Sequence, residues 1–146
     1  MNSAAASPFT VRRAEGRDLP VLADYNSRLA GETEQIRLAP AQIQAGVAAV
    51  LDGRTDAFYL VVEEQPEKDD DHAQDGEPSS VVAQLMLTRE WSDWRNGWFF
   101  WIQSVYVAES HRRRGLFRLL LTAAQDCVIA QPDSVGLRLY VEEHNH

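Results

Sequence analysis

The chain has 146 residues, of which 45% are hydrophobic and 25% charged, and its formal net charge is −8. That length fits one globular domain, which would remove roughly two thirds of its unfolded surface from water. Cys127 is the only cysteine, which excludes an internal disulfide and a cysteine-rich metal site.

Most of the negative charge is local. Between Glu63 and Glu77, eight acids and one lysine give −7, which leaves a nearly neutral remainder. A nucleic-acid binder would have a dominant basic surface, so that class is disfavoured. Segment 64–80 has the composition of an acidic, mobile loop between two strands. It lacks the spacing of an EF-hand, and no metal site is predicted.

The chain begins with residues 1–8, which we predict to be a disordered N-terminus. They contain neither a basic segment nor an apolar one of the kind found in secretory signals. The longest aromatic and apolar run, 98–102, is far shorter than a membrane span. The sequence therefore predicts a cytoplasmic protein with no membrane partner, formed by one domain over residues 9–146.

The first half of the domain is predicted to contain a strand followed by two helices. Residues 9–13 alternate as in a strand, and Asp18 is a plausible N-cap for a helix with Pro20 in its first turn. A second helix is predicted from Pro40 to Leu51, where apolar residues recur at intervals of three and four and Asp52-Gly53 follows.

The second half is predicted to continue the sheet. Strands at 57–63 and 81–89 should pair as a hairpin, and Asn96-Gly97 predicts a tight turn into a longer strand at 98–107. A helix at 115–130 and a strand at 135–141 then form a parallel crossover unit. The predicted fold class is α/β with a mixed sheet.

The junction between the fourth strand and the last helix predicts an anion site. Arg112-Arg113-Arg114-Gly115 precedes the helix, whose first turn presents unpaired N–H groups and a partial positive charge. A solvated, basic helix start that forms ion pairs is the alternative interpretation, and a nucleic-acid module using Arg112–Arg114 is the weakest one.

This junction resembles the central motif of the GNAT acyltransferase superfamily, Arg/Gln-x-x-Gly-x-Gly/Ala. Arg112 and Gly115 match, whereas Phe117 stands where Gly or Ala is usual, so either the backbone opens there or the phenyl ring turns into the core. The preceding Ile102-Gln-Ser-Val-Tyr-Val107 is similar to the family's fourth strand, and Leu139-Tyr-Val-Glu-Glu-His-Asn145 to its fifth. The segment from Glu90 to Val107 resembles one bacterial subgroup of N-acetyltransferases.

The resemblance implies an acyltransferase that uses acetyl-CoA as cosubstrate and acetylates a primary amine of a small molecule or peptide by direct attack. It further implies that the fourth and fifth strands splay apart, so that the Val105 N–H polarises the thioester carbonyl and Val105 and Val107 pair with the pantetheine arm. Asn145 would bond the pantetheine amide. The pyrophosphate would lie against the backbone and arginines of the loop, that is, Arg112, Arg113, Arg114, Gly115, Phe117 and Arg118.

The general base and the acceptor site are left open by the sequence. Trp101 stands where some members have a Glu, so the candidates are Glu32 and Glu34 in the loop between the first two helices, and Glu90 and Asp93 beside the tryptophans. Each could equally be a solvated surface charge, and an ordered water can also take the proton. Trp91 and Trp94 beside Asp93 could select a cationic amine, or could simply pack the hairpin.

The resemblance also predicts what the chain lacks. In the family a Tyr on the helix after the Asn usually protonates the leaving thiolate, and neither Tyr106 nor Tyr140 is at the matching position. We therefore expect a GNAT-like fold without its last helix and strands, either as a fragment or as a chain whose partner, for example in a homodimer, supplies the missing part. A catalytically weak CoA-binding module is the alternative function.

Overall fold

A computed structural model describes residues 7–66 and 80–139. Five strands form one sheet in the order β1-β2-β3-β4-β5, antiparallel except for the parallel pair β4 and β5. This confirms the predicted meander followed by a crossover unit. The elements are β1 (Phe9–Arg13), α1 (Leu19–Glu34), α2 (Pro40–Leu51), β2 (Phe58–Glu64), β3 (Val81–Ser92), β4 (Gly97–Val107), α3 (Leu116–Ala130) and β5 (Ser134–Leu139).

The two faces of the sheet are covered by different helices. On one face, α3 packs Leu116, Leu120, Ala124 and Val128 against the strands, as its apolar spacing predicts. On the other face, α1 and α2 contribute Leu22 and Val47 to a smaller core. The sheet is therefore the middle of three layers.

A buried ion pair fixes the start of α1. Asp18 is fully buried, and both of its carboxylate oxygens accept hydrogen bonds from Arg12, at 2.8 and 2.9 Å. The Glu15 N–H donates a third bond at 2.8 Å. Burial raises the pKa of Asp18, but the bonds from Arg12 and Glu15 outweigh burial, so the net pKa lies below its ordinary value.

The ends of the predicted acidic loop lie inside the sheet. Glu64 is the last residue of β2, and its N–H donates to the Ser80 carbonyl at 3.0 Å. The strand thus extends one residue beyond its predicted end. Residues 67–79 and the N-terminal residues 1–6 lie outside the described residues. The Pro8 carbonyl accepts a bond from the Gln65 N–H at 2.7 Å.

The fourth strand contains a bulge. Met86 of β3 pairs with Ser104, and the next residue, Leu87, pairs with Ile102, so Gln103 is an extra residue in β4. A bulge bends its strand and shifts the alternation of the two faces by one. Ile102 and Val105 accordingly belong to the α3 core, while Tyr106 faces α1 and stacks on Tyr25 at 4.9 Å between ring centroids.

Candidate active site

The bulge also decides which backbone groups of β4 are free of β3. The Ala108 N–H donates to the Val82 carbonyl at 2.8 Å. Hydrogen-bonded pairs alternate in an antiparallel ladder, so Tyr106 and Ser104 also bond to β3, and the N–H groups of Val105 and Val107 point away from it. The Arg112 Nε donates to the Val107 carbonyl at 3.0 Å from that outer side.

Before the bulge, the N–H groups that point away from β3 belong to the even-numbered residues instead of the odd-numbered ones. The Trp98 N–H donates to the Asp133 carbonyl at 2.7 Å, which directs the even-numbered residues of that half towards β5. The described part of β5 pairs with β4 only from Trp98 to Ile102. Because Gln103 adds one residue, Val105 rather than Ser104 presents its N–H on the side of β4 where the sequence placed the thioester.

A cleft of about 610 Å³, which we call the main cleft because Val105 lines it, opens beside β4. Its floor includes a row across the sheet, Tyr59, Met86 and Ser104, which are paired in register. Val105, Phe117 and Leu139 line one end. The remaining walls come from α1, α2 and their connection, and from β4, namely Asn26, Leu29, Ala30, Thr33, Glu34, Leu38, Ile43, Ile102 and Gln103.

The anion loop, residues Arg112 to Arg118, has the backbone of an anion-binding nest. Arg113 has φ +67° and Gly115 has φ +79°, both left-handed. The first helical bond runs from the Leu119 N–H to the Gly115 carbonyl at 3.1 Å, so the N–H groups of the preceding helical residues have no intrahelical partner. A Cβ at Gly115 would meet nothing within 4 Å, which leaves room for a ligand to approach.

The arginines of the anion loop differ in what they contact. Arg113, Arg114 and Arg118 are exposed around the helix start. Arg112 is already bonded, because it donates to the Val107 carbonyl and its Nη2 donates to Glu32 Oε2 at 2.9 Å. The Tyr106 hydroxyl also reaches the other oxygen of Glu32, at 3.4 Å. Arg112 thereby ties the loop to the last turn of α1.

The structure shows where the Phe117 ring lies, at the position where the motif usually has Gly or Ala. Its side chain is 42% exposed and lines the main cleft, while Leu116 before it is buried in the core. The ring therefore does not turn into the core. It stands where the start of α3 meets the cleft.

Three of the four candidate acids, Glu32, Glu34 and Glu90, have different surroundings. Glu34 lines the main cleft and is exposed. Glu32 is bonded to Arg112. Glu90 lies opposite Phe99 and lines a separate cavity of about 400 Å³ next to Trp101. Of the three, Glu34 is the one that shares a cavity with Val105.

The other predicted site residues lie elsewhere. Trp91, Asp93 and Trp94 are at the tip of the β3–β4 hairpin and do not line the main cleft. Trp91 packs edge-on against Trp98 at 5.0 Å, while Trp94 is 95% exposed. Asn145 lies outside the described residues. Within residues 7–66 and 80–139, no group of three His, Cys, Asp or Glu could hold a metal ion.

Sequence reasoning missed several polar groups in and beneath the cleft. Asn26 and Tyr59 line it, and Gln84 lies buried below Asn26. Of these residues, Gln84 is the one that the sequence could have pointed out, because it is the single polar residue in the otherwise apolar stretch Val81–Leu87. No helix in the described part of the chain is both long enough and apolar enough to cross a bilayer.

Comparisons with known proteins agree with this geometry. The model of the acetyltransferase (GNAT) family matches residues 32–146. The structure of a possible acetyltransferase from Clostridium difficile 630 is 38% identical, with a TM-score of 0.79, over 95% of this chain and 83% of that one. No functionally curated protein matches the sequence.

Two more distant structures share the fold. A ribosomal-protein-alanine N-acetyltransferase from Brucella melitensis biovar Abortus 2308 has a TM-score of 0.67 at 15% identity, over 93% of this chain and 82% of that one. An aminoglycoside acetyltransferase from an uncultured soil metagenomic sample has a TM-score of 0.66 at 14% identity, over 93% and 79%.

Proposed function

The chain belongs to the GNAT family of acetyltransferases, and on that premise we propose that it transfers the acetyl group of acetyl-CoA to a primary amine of a small molecule or peptide. Bound acetyl-CoA supplies an acetyl group activated as a thioester. The observation that carries the proposal is the meeting, in one cleft, of the Val105 segment of β4 with Phe117 at the start of α3.

The anion loop suits the pyrophosphate of acetyl-CoA. Its left-handed backbone at Arg113 and Gly115 and the free N–H groups of the first turn of α3 would hold phosphate oxygens. Arg113, Arg114 and Arg118 would add positive charge. Arg112 keeps its predicted role towards the pyrophosphate, and its bonds to the Val107 carbonyl and to Glu32 would also position the loop.

The outward N–H groups of β4 suit the rest of the cosubstrate. Val105 and Val107 can bond the pantetheine arm as a neighbouring strand would, and the Val105 N–H can donate to the thioester oxygen, where negative charge develops. Asn145 keeps its predicted role towards the pantetheine amide.

Glu34 is the acid best placed to receive the proton of the attacking amine, directly or through one water. The apolar walls of the cleft, Leu29, Leu38 and Ile43, would contact the carbon skeleton of the acceptor. The two distant relatives share only the fold, so their acceptors do not transfer to this chain.

The test measures acetyl-CoA binding by calorimetry and the release of free CoA thiol with a panel of primary amines. We expect binding together with thiol release that depends on the amine. Binding without amine-dependent release would favour a catalytically weak CoA-binding module. The absence of binding would contradict both functions.

A further inference from the structure

Three polar side chains form a chain of hydrogen bonds between the core and the main cleft. The Gln84 Nε2 donates to Asn26 Oδ1 at 3.0 Å, and the Asn26 Nδ2 donates to the Tyr59 hydroxyl oxygen at 3.1 Å. Gln84 is completely buried and Tyr59 is 4% exposed. Asn26 and Tyr59 line the cleft, so the chain of bonds begins in the core and ends at the cavity wall.

The direction of these bonds fixes what Tyr59 can offer. Its oxygen accepts from Asn26, so its own O–H is left to donate, and the described part of the chain supplies no acceptor for it. Burial raises the pKa of Tyr59 more than the Asn26 bond lowers it, so the group stays a neutral hydroxyl. An unused donor thus stands at the wall of the cleft.

The arrangement is costly for the core. Gln84 is completely buried and pairs with the buried Val61 of β2, and its Oε1 has no hydrogen-bond partner among the described residues. Apolar side chains of similar size would fill the same space without that cost. The buried Gln84 fixes the orientation of the Asn26 amide, and the Asn26 amide in turn fixes that of the Tyr59 hydroxyl.

The position of Tyr59 separates it from the reacting atoms. Tyr59 pairs with Met86, which pairs with Ser104, the neighbour of Val105. Two strand spacings, about 10 Å, therefore lie between the backbones of β2 and β4. An acceptor whose amine reacts beside Val105 would therefore place its body next to Tyr59.

We propose that Tyr59 determines acceptor specificity: its hydroxyl donates a hydrogen bond to an oxygen of the acceptor, so the substrates are amines that carry a hydroxyl, carbonyl or carboxylate oxygen across Met86 from the reacting nitrogen. Asn26 and Gln84 are positioning residues that aim this donor. The inference rests on the proposed function, because it concerns the acceptor of that reaction.

The test uses ω-amino alcohols of about four to eight carbons, which bracket the spacing between the two strands. Each is paired with the alkylamine in which a methyl group replaces the hydroxyl. The ratio of the two kcat/KM values measures selectivity for the oxygen. The wild-type protein should prefer the amino alcohol at one or more lengths.

Tyr59→Phe should reduce this ratio roughly 10- to 100-fold, the effect of leaving one hydrogen-bonding group unpaired in a buried site. Tyr25→Phe is the matched control, because the Tyr25 hydroxyl donates to the Val81 carbonyl at 2.6 Å and does not line the main cleft. Its ratio should stay that of the wild type.

Asn26→Asp gives a second variant in case Tyr59→Phe folds poorly. A carboxylate at position 26 would accept the Tyr59 O–H and turn the donor away from the cleft, so selectivity should again fall. Equal wild-type rates for both amines at every length, or an equal loss for both in Tyr59→Phe, would overturn the inference. Acetyl-CoA binding without transfer to any amine would instead show that the proposed function had failed.

Discussion

At the cofactor end of the main cleft most of the proposed hydrogen bonds come from backbone N–H groups, whereas at the acceptor end the proposed contacts come from side chains. The anion loop and the Val105 segment offer N–H groups whose directions follow from two left-handed residues, one helix start and one bulge. The acceptor end offers Tyr59, Asn26 and Glu34, from a strand and a helix far apart in the chain.

The difference has a physical consequence for substitution. A backbone site keeps its donors when side chains change, provided that the chain can still adopt the required φ angles. A side-chain site changes its chemistry with each replacement. One scaffold can therefore keep a constant cosubstrate while its acceptor changes.

The sharpest test of this contrast is Glu34→Gln at the acceptor end. If Glu34 receives the amine proton, kcat should fall roughly 10²- to 10⁴-fold, while the Kd of acetyl-CoA measured by calorimetry stays constant. Glu90→Gln is the control, because Glu90 lines a different cavity. Equal losses in the two variants would remove Glu34 from the mechanism.

At the cofactor end, Gly115→Ala should weaken acetyl-CoA binding roughly 10- to 100-fold, because the new Cβ occupies the space open to the pyrophosphate and disfavours φ +79°. Gly53→Ala is a matched control, since Gly53 has φ +76° and equally open surroundings at the end of α2.

Both glycine variants should lose about 1–2 kcal/mol of unfolding free energy from backbone strain. Only Gly115→Ala should lose affinity for acetyl-CoA. If calorimetry gave the two variants equal affinities for acetyl-CoA, the anion loop would not hold the cosubstrate.

Acid should weaken the acceptor end through Asp18. The folded pKa of Asp18 is lowered, so its stabilisation is complete above the ordinary carboxyl range near 4 and is lost as pH falls through the lower folded value. Asp18→Asn should cost about 1–2 kcal/mol at neutral pH and flatten this part of the pH profile, as measured by urea unfolding.

Asp18 precedes α1, which carries Asn26 and Glu34. The KM of the acceptor should therefore rise in Asp18→Asn more than the Kd of acetyl-CoA. A larger change in the Kd would mean that the two ends of the cleft are not independent in the way the structure indicates.

The smallest effect concerns the ion pair between Arg112 and Glu32, which joins the anion loop to α1. The side chains of Arg112 and Glu32 are 43% and 45% exposed, so a double-mutant cycle with Arg112→Gln and Glu32→Gln should give about 0.2–1 kcal/mol of coupling in unfolding experiments. A coupling near zero would mean that Arg112 positions the loop through the Val107 carbonyl alone.

The elements were predictable because their signals are local. Pro40 and Asp52-Gly53 bracket α2, and its observed bounds agree with the prediction. β3 continues to Ser92, beyond its predicted end at Arg89, because Trp91 pairs with Trp98 across the hairpin. That extension depends on a partner strand, and no local pattern encodes it.

The site residues, too, were predictable only where their signal is local. Gly115 and its arginines are contiguous, so a motif shows them. By contrast, Asn26 is 33 positions from Tyr59 and 58 positions from Gln84 in the sequence. Only the folded chain brings these three residues together. The bulge at Gln103 is a mismatch between two strands and is not readable from either one.

The bulge makes the bend of β4 depend on one unpaired residue, Gln103. Deleting Gln103 would give a regular ladder in which Ile102 and Ser104 are neighbours, still paired with Leu87 and Met86, so Val105 and Tyr106 would keep their present faces. Many side chains could replace Gln103, since it is exposed. The residue therefore bends β4, and a chain one residue shorter would keep the outward Val105 N–H but hold it on a straighter strand, without changing any side chain near the proposed thioester contact.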